Sequence, residues 1–173
     1  MAARAIATVA ALDHLVLTVR SIPTTVAFYE RLGMRHELFR TPTEVRHALR
    51  FGLSKINLHE AGNEFTPRAA LAKPGTADLC FLVDEEVGDV QSRLEEAGIE
   101  ILEGGGIVNR TGARGALLSV YIRDPDGNLI ELSNYEDDIH AGCPNVAASG
   151  QMVRPTRMRK EYLRAETECG RAG

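Results

Sequence analysis

The stretch His14-Leu15-Val16-Leu17-Thr18-Val19 has a counterpart later in the chain, Asp78-Leu79-Cys80-Phe81-Leu82-Val83. Both stretches are rich in β-branched and apolar residues, which predicts two strands with side chains alternating between two faces. Each strand is followed by a helical pattern that stops at a glycine, Gly33 in the first copy and Gly98 in the second. The sequence therefore contains two related halves.

The two halves also agree in the elements that follow. A last strand is predicted in each, Ile56-Asn57-Leu58-His59 in the first and Ile130-Glu131-Leu132-Ser133 in the second. The order in each half is βαβββ, with strands predicted at 12–19, 34–39, 46–51, 55–60, 78–83, 99–103, 117–123 and 128–133. The segments 104–106 and 109–115 are predicted to be loops, and Asp124-Pro125-Asp126-Gly127 a tight turn. The predicted fold class is α+β, with paired βαβββ modules forming a curved eight-stranded mixed sheet.

Length and composition favour a single globular domain. The chain has 173 residues, of which 44% are hydrophobic and 25% charged. We expect an N-terminal extension over 1–10, one domain over 11–136 made of modules 11–62 and 76–136, and a C-terminal tail over 137–173. The tail is basic from residue 154 onward, and it is either solvated and partly disordered or a clasp across a dimer partner or a lid over the site.

Several classes of partner are disfavoured by composition. The net charge of −4 gives no reason to expect nucleic acid as a partner. No apolar run approaches the roughly 20 residues that span a bilayer, so we expect no membrane association. Three cysteines without paired spacing favour a reducing compartment, and the cytoplasm is the predicted location.

Polar residues of metal-ligand type interrupt the predicted strands at equivalent places. His14 and Asp78 begin equivalent strands, Asn57 and Glu131 lie in the last strand of each half, and His59 shares the face of Asn57. If the halves pair about a local two-fold axis, these five residues converge on one concave sheet surface. Two imidazoles with one or two carboxylates suit a divalent first-row metal ion with open coordination positions.

Three longer motifs resemble one known superfamily. They are Asp13-His14-Leu15-Val16-Leu17-Thr18-Val19, Ala27-Phe28-Tyr29-Glu30-Arg31-Leu32-Gly33-Met34 and Asp124-Pro125-Asp126-Gly127-Asn128-Leu129-Ile130-Glu131-Leu132. Together they resemble the vicinal oxygen chelate superfamily, which includes glyoxalase I, bleomycin-resistance proteins, fosfomycin-resistance proteins and extradiol dioxygenases. Over residues 11–136 the chain is most similar to small glyoxalase-domain-containing proteins, among them glyoxalase domain-containing protein 5 and bacterial virulence-associated relatives. The resemblance implies a glyoxalase-like fold and a homodimer.

The resemblance also implies roles for single residues. His14 matches the superfamily's ligand on the first strand, and Glu131 matches the ligand on the last strand, which can also act as the catalytic base. Asp78 stands where glyoxalase I-like proteins usually have His, and Asn57 stands where they usually have Glu, with His59 as a possible substitute ligand. These departures argue against classical lactoylglutathione lyase activity and against an iron dioxygenase.

The resulting functional prediction is a metal-dependent glyoxalase-like lyase or isomerase. It would act on a small carbonyl or hemithioacetal substrate through an enediolate, with one divalent ion, Zn, Ni, Mn or Fe, held by His14, His59, Asp78 and Glu131. Glu131 is the predicted catalytic residue, and Asn57, Arg110 and Arg114 are predicted to bind substrate. The alternatives are a metal-free binding protein of the bleomycin-resistance type and a thiol transferase of the fosfomycin-resistance type.

Overall fold

The computed structural model describes residues 5–41 and 44–136. The described elements run β1 (His14–Val19), α1 (Ile22–Arg31), β2 (Arg35–Arg40), β3 (Val45–Phe51), β4 (Ser54–Glu60), β5 (Asp78–Leu82), α2 (Val87–Glu96), a 3₁₀ turn (Glu103–Gly105), β6 (Val108–Thr111), β7 (Ala116–Arg123) and β8 (Leu129–Tyr135). The predicted α+β class and the two βαβββ modules are confirmed. The eight strands form two mixed sheets of four, in the orders β1-β4-β3-β2 and β5-β8-β7-β6. The predicted tail lies outside the described residues.

The chain divides into two compact units. Of the described residues, the first unit takes those up to Ala77 together with Arg123–Leu129, and the second takes Asp78–Ile122 with those from Ile130 onward. Neither helix among the described elements is long and apolar enough to cross a membrane.

The first helix begins and ends at residues that the sequence marks. The Ser21 hydroxyl accepts a hydrogen bond from the backbone N–H of Thr24, and a proline stands in the first turn. After Arg31 the chain leaves the helix through Gly33, whose φ of +84° lies in the left-handed region that glycine adopts without strain. The helix buries Tyr29 completely.

One predicted strand is wrong. Residues 99–102 have no regular secondary structure, and the chain enters the 3₁₀ turn at Glu103, whose φ of 57° is incompatible with extended backbone. The second strand of the second module comes later, at Val108–Thr111, where it pairs antiparallel with β7. Part of that segment was predicted to be a loop because of the glycines around it.

The two faces of the first sheet differ in character. β1 pairs parallel with β4, β4 antiparallel with β3, and β3 antiparallel with β2. One face carries buried apolar residues at alternate positions: Leu17, Val19, Leu49, Ile56 and Leu58. We assign α1 to this face because the helix packs on β2, β3 and β4. The other face, which we call the open face, carries mainly polar and charged residues: His14, Val16, Thr18, Arg35, Glu37, Phe39, Arg46, Ala48, Arg50, Lys55, Asn57 and His59.

The turn between β7 and β8 belongs to the first unit and is anchored there by Arg20. The guanidinium Nε of Arg20 donates to Asp126 Oδ1 at 2.7 Å, and the backbone N–H of Arg20 donates to the same oxygen at 3.1 Å. Gly75 also approaches the turn, since a Cβ there would stand 2.7 Å from the carbonyl oxygen of Asp126. The turn is therefore held by residues far from it in sequence.

A histidine pair on the helix-bearing face makes stability depend on pH. His36 Nε2 lies 3.0 Å from His47 Nδ1, and the two rings are stacked. Burial, followed by the charge of His36, lowers the pKa of His47 below its usual value, against the opposing effect of Glu60. The folded state therefore disfavours protonated His47, so the unfolded state takes up the proton first as the pH falls.

We expect the free energy of unfolding to decrease as the pH is lowered from about 7.5 through the ordinary histidine pKa of about 6.5. Urea denaturation at pH 7.5, 6.5 and 5.5 measures this slope in the wild type and in His47→Gln. The substitution removes the titrating group, so the slope should become shallower in the variant. Identical slopes in the two proteins would contradict the assignment.

Candidate functional site

Glu131 lies in β8 within a cluster of hydroxyl groups of the second unit. Its Oε1 accepts hydrogen bonds from Ser119 Oγ at 2.6 Å and from Ser133 Oγ at 3.2 Å, and the two serine oxygens are 2.9 Å apart. Both serines are fully buried, and Glu131 is partly exposed. Two hydroxyl donors on one oxygen fix the orientation of the carboxylate.

A second chain of polar contacts begins at Tyr121 on β7. Burial raises the pKa of Tyr121, the hydrogen bond from Arg110 lowers it, and Glu131 raises it further. Arg110 Nε donates to the Tyr121 hydroxyl at 3.0 Å, and a terminal nitrogen of Arg110 donates to Glu103 at 2.8 Å. The guanidinium of Arg110, a predicted substrate-binding group, is therefore already engaged by two side chains.

Arg114 is likewise engaged within the second unit. Its guanidinium carbon lies 4.0 Å from the centre of the Tyr135 ring, and its backbone N–H donates to the Tyr135 hydroxyl at 3.2 Å. These contacts hold the loop after β6 against β8. Substrate binding by Arg110 and Arg114 stays a prediction.

Asp78 and Cys80 lie on the exposed side of β5. Cys80 Sγ is 3.5 Å from Ser133 Oγ, which connects it to the serine pair around Glu131. Burial raises the pKa of the Cys80 thiol, and the nearby carboxylates Glu131 and Asp78 also raise it. Cys80 therefore stays a neutral thiol, and the arrangement gives it none of the activation that a nucleophilic cysteine needs.

His14 begins β1 and is oriented by its neighbour. Its Nδ1 lies 2.6 Å from Asp13 Oδ1, so Nδ1 carries the hydrogen and the lone pair of Nε2 is directed away from Asp13. The same hydrogen bond is the main reason why the pKa of Asp13 is lowered. Carboxylate orientation of an imidazole is typical of histidines that bind metal ions.

His59 is not brought together with His14. The parallel register places His14 opposite Lys55 and Thr18 opposite His59, so the two histidines are four residues apart along the sheet, about 13 Å. His59 is 7% exposed, and its ring packs edge-on against Phe65 at 5.0 Å. The expectation that both imidazoles bind the same ion therefore needs correction, because the strand register separates them.

Along the strands of the open face, Asn57 lies between the position of His14 and that of His59. Its Oδ1 is buried and accepts no hydrogen bond from the described part of the protein. An unpaired buried acceptor is costly, which is consistent with a position where a ligand donates to it.

The donor set fits a divalent metal ion only in part. Within residues 5–41 and 44–136, no group of three or more His, Cys, Asp or Glu side chains is arranged to hold an ion. Taken singly, His14 and Glu131 fit the role: the His14 imidazole is held in place by the hydrogen bond that its Nδ1 donates to Asp13, and the Glu131 carboxylate by the one that it accepts from Ser119. His59 fits less well, because its ring packs against Phe65 and the nearby positive charge of Arg46 would repel a bound cation.

The residues that the sequence analysis missed are Ser119, Ser133 and Tyr121. Ser119 and Ser133 are fully buried hydroxyls in strands whose neighbouring residues are apolar. Alternation with apolar residues is visible in Ser119-Val120-Tyr121-Ile122 and Glu131-Leu132-Ser133, and it marks a polar face of each strand. That signal could have found them.

Comparison with known proteins identifies a family that matches most of the chain. Residues 11–132 match the model of the Glyoxalase/Bleomycin resistance protein/Dioxygenase superfamily. The chain is 50% identical over 129 residues to glyoxalase domain-containing protein RDO1 of Mycosarcoma maydis, which covers 75% of this chain and 70% of that protein. It is 53% identical over 125 residues to virulence protein STM3117 of Salmonella typhimurium, covering 72% of this chain and 83% of that protein.

Solved structures support the same superfamily. The crystal structure of virulence protein STM3117 has a TM-score of 0.70 at 51% identity and covers 75% of this chain and 99% of that chain. A lactoylglutathione lyase from Agrobacterium tumefaciens has a TM-score of 0.54 at 22% identity, covering 73% and 94%, which supports the fold alone. On these grounds the chain belongs to the glyoxalase/bleomycin resistance protein/dioxygenase superfamily.

Proposed function

We propose that this protein is a metal-dependent glyoxalase-like lyase or isomerase acting on a small carbonyl or hemithioacetal substrate. The observation that carries the proposal is the orientation of Glu131 by Ser119 and Ser133. A carboxylate fixed in this way is prepared to remove a proton from a carbon atom next to a carbonyl group.

In this proposal His14, Asp78 and Glu131 are each candidate ligands, as the sequence and its resemblance imply. When bound, a divalent ion would polarise the substrate's carbonyl oxygen as a Lewis acid. The Asp13 carboxylate holds the His14 imidazole in the tautomer that leaves Nε2 available. Glu131 takes the proton, and the serine hydroxyls keep its carboxylate oriented before and after the transfer.

A metal-free binding protein of the bleomycin-resistance type is the second candidate. The separation of His14 from His59 favours it, because one of the two expected imidazoles is removed from the ligand set. In that case the polar side chains would bind a small molecule without transforming it.

The superfamily's pairing of modules within or between chains supports a homodimer, which we infer for this chain as well. Analytical ultracentrifugation of the full chain measures its mass in solution directly. A monomer at all concentrations would count against this part of the proposal.

Elemental analysis of the tag-free protein separates the two candidate functions. We expect about one Ni, Zn, Mn or Fe ion per chain, and we expect His14→Ala to lose it because the imidazole is a direct ligand. His36→Ala, on the opposite face of the same sheet, is the matched control and should keep the ion. If no metal binds even after incubation with excess divalent ions, the binding-protein candidate replaces the enzyme.

A further inference from the structure

The open face of the first sheet carries a row of four basic residues, Arg35, Arg50, Lys55 and His14, of which the proposed metal chemistry uses only His14. We propose that this row binds the dianionic group of a small ligand, a phosphate or phosphonate. The proposal rests on the proposed function in one respect only, that the open face holds the substrate, and it then names the chemical class of that substrate.

The strand registers place the row. Arg35 lies opposite Arg50, Arg50 lies opposite Lys55, and Lys55 lies opposite His14. Residues directly opposite each other in neighbouring strands project from the same face of the sheet. With neighbouring strands about 4.8 Å apart, the row crosses all four strands over about 14 Å.

Only part of the row's charge is compensated within the described part of the chain. Arg50 Nε donates to Glu37 at 2.6 Å. Lys55 forms no ion pair with a described carboxylate, although its charge helps to lower the pKa of Asp13. Its ammonium points at the Phe39 ring, 4.8 Å from the ring centre, and has to turn away from Phe39 to contact a ligand that Arg35 binds. Arg35 is exposed and has no ion pair among the described residues.

Like charges directly opposite each other in a sheet repel and reduce its stability. Two cations without carboxylates, one on each side of Arg50, therefore cost free energy that a bound dianion would recover. Guanidinium groups bind phosphate and carboxylate oxygens with paired hydrogen bonds, and a lysine ammonium adds a point charge. A group with two negative charges suits this row better than a single carboxylate does.

Asn57 supplies a second, independent observation. It lies two residues from Lys55 on the same face, and its buried Oδ1 accepts no hydrogen bond from the described residues. A hydroxyl or N–H group on the ligand would satisfy this acceptor while the dianion contacts the basic row. The ligand therefore combines a dianionic end with a hydrogen-bond donor.

A nucleic acid fits this surface poorly. The row is about 14 Å long, while nucleic-acid sites neutralise many phosphates along an extended basic surface. Glu37 lies within the open face, Asp13 lies next to His14 at its edge, and the full chain has a net charge of −4. These carboxylates would repel a polyanion that covered the whole face.

The test is isothermal titration calorimetry of the chelator-treated full chain at constant ionic strength, with inorganic phosphate and phenylphosphonate as probes and acetate as the monoanionic comparison. We expect both dianions to bind and acetate to bind at least about tenfold more weakly. Arg35→Gln and Lys55→Gln should each weaken phosphate binding by about five- to tenfold.

Arg40→Gln is the matched control. Arg40 is an exposed arginine of the same strand as Arg35, on the opposite face of the sheet. Its replacement removes the same charge from the protein and should leave phosphate binding unchanged. Equal weakening by Arg35→Gln and Arg40→Gln, or the absence of dianion binding to the wild type, would overturn the proposal.

The experiment is independent of the metal. If the chelator-treated protein binds phosphate through Arg35 and Lys55 and no metal-dependent turnover is found, the dianion site is supported and the proposed lyase activity is excluded. If metal binding and turnover are found and the dianions do not bind, the dianion site is excluded and the proposed lyase activity is supported.

Discussion

Replacing Asp124 with alanine is expected to destabilise the protein by about 3–5 kcal/mol, a large effect for a single substitution. Asp124 is a buried carboxylate in the turn between β7 and β8. Its two oxygens accept four hydrogen bonds, from the Tyr29 hydroxyl at 3.0 Å, the Asn128 side-chain amide at 2.7 Å, and the backbone N–H groups of Asp126 and Asn128, each at 2.9 Å. Removing the carboxylate leaves several buried donors without an acceptor.

The loss is larger than a count of hydrogen bonds suggests, because the remaining donors cannot reach water. Tyr29 is completely buried in α1, and burial followed by the charge of Asp124 raises the pKa of its hydroxyl. Asn128 is 1% exposed, and its side-chain oxygen accepts the backbone N–H of Ala77. The carboxylate therefore ties the turn to α1 and to the segment that precedes β5.

Urea denaturation measures the change in the free energy of unfolding. Tyr29→Phe removes one of the four donors and should cost about 1.5–3 kcal/mol, less than Asp124→Ala. Asp89→Ala, at an exposed acidic residue of α2, is the control and should change stability by less than about 1 kcal/mol. A loss below about 1 kcal/mol in Asp124→Ala would mean that the turn relaxes without its carboxylate.

This turn illustrates what local sequence patterns can and cannot predict. The Asp124-Pro125-Asp126-Gly127 pattern predicts a tight turn, and Gly127 has the left-handed φ of +88° that such a turn requires. The pattern contains no information about Tyr29, which precedes Asp124 by 95 residues. The partner of a turn is set by the tertiary fold, and the repeated modules alone do not identify it.

The candidate site, too, can be predicted from the sequence only in part. Alternation along β4 correctly places Asn57 and His59 on one face, because side-chain direction is a property of the strand itself. The distance between His14 and His59 depends on how β1 pairs with β4, and a shift of register would change it without changing either strand's pattern. The basic row could be recognised only once three registers were known, since Arg35, Arg50, Lys55 and His14 follow no spacing in sequence.

Replacing Glu131 with glutamine is expected to lower kcat/KM by about a thousandfold on a hemithioacetal formed from a 2-oxoaldehyde and a thiol. Glutamine keeps the size of the side chain and an oxygen that can accept from Ser119 and Ser133, but it cannot take up a proton at catalytic rates. Steady-state kinetics measures the loss, and urea denaturation checks that the variant keeps the stability of the wild type. Glu100→Gln, at an exposed glutamate of the same unit, is the control and should keep full activity.

Metal content measured on the same variant separates the two roles proposed for Glu131. A variant that keeps its metal ion and loses turnover assigns Glu131 as the base, because proton transfer is the only function that the amide has lost. A variant that loses both assigns Glu131 as a required ligand, because a neutral amide oxygen is a weaker donor than a carboxylate. Turnover within about threefold of the wild type would exclude both roles, since general-base catalysis alone contributes at least about a hundredfold. The serine pair would then only supply hydrogen bonds to a carboxylate that lies in the sheet, and the chemistry would have to take place at other residues.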